Sequence, residues 1–598
     1  MARNSDSFHS PRRTFPGKGL ILLLVPVLLL GALGCEETTD QQFTSITERF
    51  FDTYFQLHPI AATWVGIHEY DHLLDDLSPQ SRRTERTLDR STLSRLDDIN
   101  QENLTEQNQV DYQVLRNALR YALFRLDTLR EYTWNPTVYI HDAGQAVITL
   151  AMQSHAAPER RLPQLTARLR GIGSWLNQAY QSLRTTTVVH GEHAVRQARD
   201  LAEFFRQDRI FAYFDTLSAE SADQLHQAAA SAAEGLENFA TRIENNLLPG
   251  SERTFRLGPD LYWKKLEYTI SPEWSAEAID SRAESSVLQL QNQMYEIADT
   301  LAYNWWNIRY ANPSRQNKRR VIRMVLDRIA DDYPPATETQ AYLSSQVSQL
   351  RDFVGQHKII NPLPTWTLRV LPTSPHHLQT SFTSVQQLGP LNTEDVAILY
   401  VNPIPAVWSS QQTENYLREF NRVTQQLLLI YEVLPGIATF RYYSNRYPSL
   451  IRNVFSSAPV LQGWGAYCER MMVGHGWGHT NPRVRLLQRK RELQLAIDAL
   501  IDQRVHTQNY SRSEAITLMT EQGFRTMMAA AEQWRSFQLT SCESVAAFVG
   551  KENLWDLRRK FARRAGSDFS LLDFHKRVLE YGAIPVTALR RLLLESPP

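Results

Sequence analysis

Along most of this 598-residue chain, apolar residues recur every three or four positions, the spacing that gives a helix one buried face. Helices are predicted over 107–132, 160–183, 186–207, 218–247, 274–308 and 337–356. Breaks such as Trp134-Asn135-Pro136, Leu247-Leu248-Pro249-Gly250 and Tyr333-Pro334-Pro335 separate them. Strand chemistry is confined to two short stretches, 365–371 and 396–401. Both are rich in β-branched or aromatic residues and bounded by Pro or turn residues. The predicted fold is mainly α, a large helical domain with a small β element around 365–401.

One helix ends abruptly. From Tyr416 the apolar positions Phe420, Val423, Leu427, Ile430 or Tyr431 and Leu434 make one face. Pro435-Gly436 must then stop or kink it, because proline lacks the N–H and disfavours helical geometry in the residue before it. Glu432 therefore sits in the last turn, at the unfavourable negative end of the helix dipole, and needs compensation. A salt bridge or solvent would supply it, as would a catalytic setting. A second stretch, Leu461-Gln462-Gly463-Trp464-Gly465-Ala466-Tyr467-Cys468-Glu469, also reads as helix, with Gln462 and Glu469 seven apart on one face. Two glycines inside a helix cost about 1 kcal/mol each relative to alanine. Something must pass close to that backbone, and the 431–435 element is the expected neighbour.

The mature chain resembles the bacterial domain of unknown function 885 family, regarded as metallopeptidase-like, whose motifs are HExxPGH and EGWAxYxE. Here they read Tyr431-Glu432-Val433-Leu434-Pro435-Gly436-Ile437 and Gln462-Gly463-Trp464-Gly465-Ala466-Tyr467-Cys468-Glu469. The resemblance implies zinc ligands at the positions of Tyr431, Ile437 and Gln462, with Glu432 as general base. Isoleucine has no donor atom, and neutral glutamine is a far weaker zinc ligand than carboxylate. A tyrosine with a pKa near 10 binds metal only as costly phenolate. No metal or cofactor is therefore expected, although the family implies zinc. The resemblance extends to Asp502 and His506, four apart and able to form a carboxylate–imidazole pair, either as a catalytic remnant or as a structural hydrogen bond. It also extends to Gly258 at a turn, and to Phe548, where the family tends to carry a tyrosine hydroxyl. The expected function is a pseudoenzyme that binds a peptide or an envelope partner. The alternative is an active hydrolase using a displaced metal or Glu432, Asp502 and His506.

The N-terminus predicts where this happens. Arg12, Arg13 and Lys18 precede an apolar run from Leu20 to Leu30 and then Gly31-Ala32-Leu33-Gly34-Cys35, the pattern of a lipoprotein export signal over 1–34. Cleavage would leave Cys35 lipidated, followed by a linker over 35–42. A single domain over 43–598 would comprise a helical part, 43–330, and a degenerate active-site part, 337–598. The expected location is the bacterial cell envelope, lipid-anchored and facing the periplasm, with Glu36 after the cysteine favouring the outer membrane. The balance of 64 Lys+Arg against 64 Asp+Glu gives no electrostatic reason for nucleic-acid binding. Cys468 and Cys542 read as buried thiols, although an oxidising compartment would let them pair. His68 and Glu69 read as loop residues, and His376-His377 as surface histidines. His475 and His479 offer an alternative metal pair. No GxSxG, SxxK, GxxxxGK or GxGxxG motif is present.

Overall fold

The computed structural model describes residues 37–595, apart from 154, 208, 211–213, 215–216, 271–272, 378–381 and 393. Residues from Thr39 onward form one contact unit; the expected export signal over 1–34 and Cys35 lie outside the described residues. Helices dominate, as the periodicity requires. The predicted tracts appear as Glu106–Phe124, Pro158–Ser182, Val188–Arg206, Ala219–Arg242, Ala276–Trp306 and Thr339–Gln356. Two of them stop earlier than expected, because the chain passes into a wider π-type turn at Arg125–Leu129 and Ile243–Leu247. Starts are set by side-chain caps: Thr105, Thr187, Ser218 and Ser275 each accept a hydrogen bond from the N–H three residues on. A helix at Thr137–Met152 has no periodicity to betray it, because it is buried nearly all round.

Three strands form one sheet in the order β1-β3-β2, with β1 at Thr367–Pro372, β2 at Thr383–Gln387 and β3 at Val396–Val401. β1 runs parallel to β3, and β2 antiparallel. Successive side chains of a strand point to opposite faces, and β3 uses this to divide the interior. Ala397 and Leu399 belong to the larger apolar core. Val396, Ile398 and Tyr400 belong to a second core, built from the four helices between Thr137 and Arg242. β1 and β2 each pair with β3 alone and are both edge strands; β2 carries the polar sequence Thr-Ser-Val-Gln-Gln.

The apolar face starting at Tyr416 is not one helix. Asn421 caps a new start by accepting from the Thr424 N–H, separating Ser410–Glu419 from Arg422–Glu432. The second helix ends at Glu432, and after Pro435 the chain starts again at Ile437–Ser444. This bend packs on the helix Ala458–Gly474. The Trp464 indole donates to the Pro435 carbonyl at 2.8 Å. A Cβ on Gly465 would lie 2.9 Å from the Tyr431 ring and carbonyl oxygen. One on Gly463 would lie 2.4 Å from the backbone of Gly550, in the helix Glu543–Ala565. The close approach expected of these glycines is thus made to two elements.

Gly463→Ala is expected to lower the melting temperature by several degrees, since two backbones must separate, an overpacking cost of about 1–3 kcal/mol. Gly474→Ala, whose Cβ would meet nothing within 4 Å, is expected to change it little. Equal effects in a thermal-unfolding comparison would overturn this packing account.

Candidate functional site

The bend places Tyr431 and Glu432 beside Glu469 and an arginine that the motifs do not contain. Arg491, on the helix Pro482–Thr507, clamps Glu469: its Nε lies 2.9 and 3.0 Å from the two carboxylate oxygens, and one Nη lies 2.6 Å from the first. The same guanidinium stands 6.0 Å from the centre of the Tyr431 ring. One cation thus faces two buried carboxylates. Burial pushes Glu432 up to about 8, against the pull of Arg491; the negative Glu469 raises it further, and the Val385 N–H on the β2 edge favours the charged form. Burial also raises Glu469, opposed by Arg491. The Tyr431 phenol is held well above its ordinary value by burial and by both glutamates. The compensation that the last-turn Glu432 requires is a retained proton and a neighbouring guanidinium.

These residues do not suit zinc. Ile437 offers no donor, Tyr431 holds its proton, and Glu469 is engaged on both oxygens by a fixed positive charge. Gln462 lies on the wall of a cavity of about 1060 Å³. His475 Nδ1 turns back to the Met471 carbonyl at 3.0 Å. Among the described residues, the one group of three His, Cys, Asp or Glu side chains with ligand atoms mutually within 4.8 Å is His68, Asp71 and His155. The two imidazoles stack there with centroids 3.3 Å apart. His68 thus has a partner from the loop between Thr137–Met152 and Pro158–Ser182, which sequence spacing could not reveal.

Asp502 and His506 do not hydrogen-bond each other. Asp502 accepts from the N–H groups of Cys542 and Ser544 at 3.1 Å, capping the helix Glu543–Ala565. Burial still pushes its pKa up to about 7. His506 lies 3.0 and 3.1 Å from the Phe537 and Thr540 carbonyls through Nε2 and accepts from the Leu257 N–H at Nδ1. Its carbonyl takes the N–H of Gly258, a left-handed turn residue at φ +79°. Phe548 is fully buried, with the Lys551 ammonium 5.3 Å from its ring centre. Cys468 and Cys542 are separate buried thiols.

A second cavity, of about 540 Å³, shares Tyr54, His58, Asp75, Asp142 and Ser456 with the larger one. Ser384, Val385, Gln386 and Gln387 of β2 all line it. Because alternate side chains point to opposite faces, four consecutive lining residues mean that the strand presents its backbone edge. Arg441, one turn beyond Ile437, lines the same wall. The expected surface histidines are corrected here. His376 is buried against Gly144, whose missing Cβ lets the two chains touch, and the half-buried His377 lines the cavity. Sequence reasoning also missed Arg441, Arg491 and β2; a lone arginine on an otherwise apolar helix was the available signal for Arg441.

The chain belongs to the family described as bacterial protein of unknown function (DUF885), whose model matches residues 59–593. A candidate lipoprotein of unknown function from Shewanella oneidensis is similar in structure, with 25% identity and a TM-score of 0.73 over 92% of this chain and 99% of that one. A candidate lipoprotein from Colwellia psychrerythraea shares the fold at 15% identity, with a TM-score of 0.74 over 94% and 99%. No curated protein matches the chain.

A buried acid whose folded-state pKa is raised stabilises the fold while protonated and loses that contribution as pH climbs from the unfolded value through the folded one. For Glu432 that window runs from 4.5 to about 8. Glu432→Gln should therefore raise the melting temperature by several degrees above this window and leave it nearly unchanged below it. An equal shift at both ends would remove the buried proton from Glu432.

Proposed function

We propose that this protein is a lipid-anchored component of the bacterial cell envelope, held by Cys35 and facing the periplasm, more often on the outer than the inner membrane. It binds a peptide segment in the cavity beside β2 and has lost zinc-dependent hydrolysis. The observation that carries this reading is Arg491, a guanidinium set among Tyr431, Glu432 and Glu469 where the family resemblance implies a metal-centred site. The likeness to two candidate lipoproteins supports the anchor. A strand edge that lines a cavity supports peptide binding, since an extended chain adds to such an edge through backbone hydrogen bonds. Glu432 supports the second reading, residual hydrolysis, because a carboxyl with a pKa of about 8 is suited to proton transfer.

Zinc content and peptide response test the proposal together. After equilibration with zinc and removal of the excess, the protein is expected to retain far less than one metal per chain, to turn over no peptide, and to gain thermal stability with a short unstructured peptide. Near-stoichiometric zinc that survives His68→Ala but is lost in Glu469→Ala, or turnover that disappears in Glu432→Gln, would overturn it in favour of the hydrolase.

A further inference from the structure

The smaller cavity contains two charges that the protein leaves unmatched. Among the described residues, the Arg441 guanidinium makes no hydrogen bond, ion pair or ring contact, although the residue is half-buried in the wall. Burial alone lowers its pKa, with no carboxylate close enough to oppose it. Asp142, on the helix Thr137–Met152, accepts no hydrogen bond from the described residues. Burial, with Asp75 nearby, raises its pKa to about 6 despite the opposing fields of His141 and Arg125. Nearby, His58 is matched with Asp75 at 3.4 Å, and Arg125 with Glu131 at 3.2 Å. Arg441 and Asp142 do not pair with each other. A half-buried guanidinium and a half-buried carboxylate that lack partners are only partly solvated, and a ligand bearing both opposite charges would satisfy them together.

The residues lining this cavity also include polar side chains with orphaned atoms. The side-chain amide of Gln387 lacks a partner at both ends, as does Gln386 at its oxygen and His377 at Nε2. All three residues line the cavity. The volume of about 540 Å³ falls within the range of small-ligand sites, roughly 300–1,000 Å³.

We propose that Arg441 and Asp142 are the two poles of a site for a short peptide with free ends, Arg441 receiving the terminal carboxylate and Asp142 the terminal ammonium. This rests on the peptide-binding reading and narrows it to zwitterionic short peptides rather than internal segments of long chains. Guanidinium and carboxylate form paired, charge-assisted hydrogen bonds, so the carboxylate end sets most of the selectivity.

The test is calorimetric titration of the purified full-length protein in detergent with trialanine, its C-terminal amide and its N-acetylated form. Each blocked form is expected to bind at least tenfold more weakly than trialanine. Arg441→Met should erase the preference for free acid over amide while keeping that for free amine, and Asp142→Asn the reverse. Arg441→Lys should restore part of the carboxylate preference. These readouts are ratios within one variant, and a thermal transition in each confirms folding. Blocked and free peptides binding equally would overturn the poles but leave peptide binding intact. A protein that binds none of the three would overturn both.

Discussion

The Arg491–Glu469 ion pair holds the centre of this molecule. Two buried carboxylates, Glu432 and Glu469, meet one guanidinium, and a buried charge without a partner costs several kcal/mol. The arrangement is tolerable because Glu469 takes both arms of the fork and Glu432 keeps its proton. The next residue, Glu492, turns to Lys551 at 3.1 Å and to Arg470 and Arg489. Consecutive residues of one helix thus tie it to Ala458–Gly474 through Glu469 and Arg470, and to Glu543–Ala565 through Lys551. The helices that shape the candidate site are joined by ionic contacts inside an otherwise apolar core, which fixes their rotation as well as their distance.

Much of the fold was legible because amphipathic helices write their burial into the sequence every three to four residues. The tract 274–308, for example, became Ala276–Trp306. Legibility failed where burial has no periodic signature. Thr137–Met152 is covered on nearly all sides. β2 is a polar edge strand whose position depends on β3 rather than on its own residues. The break at Asn421 was hidden because the apolar spacing continued across it, while the decisive feature was a single capping oxygen.

The site was legible to a different degree. Tyr431, Glu432 and Glu469 converge, and the bend that positions them follows from Pro435-Gly436. Their organiser, Arg491, lies 22 residues beyond Glu469 on another helix, and nothing in local spacing links the two. Asp502 and His506 looked like a pair because they are four apart, yet each satisfies backbone groups of different segments. Spacing establishes which residues share a helix face; it does not establish what they face.

The dual burial of β3 also bears on how the chain comes together. The four helices that form the second core precede position 243, but the floor that covers them includes Leu388, Val396, Ile398 and Tyr400. During synthesis those helices emerge well before their floor does, and contacts at such sequence separation form slowly. A nascent chain must therefore carry an apolar face with no cover for more than a hundred residues of elongation. Until that floor is made, the apolar surface it will cover is open to contacts with other chains.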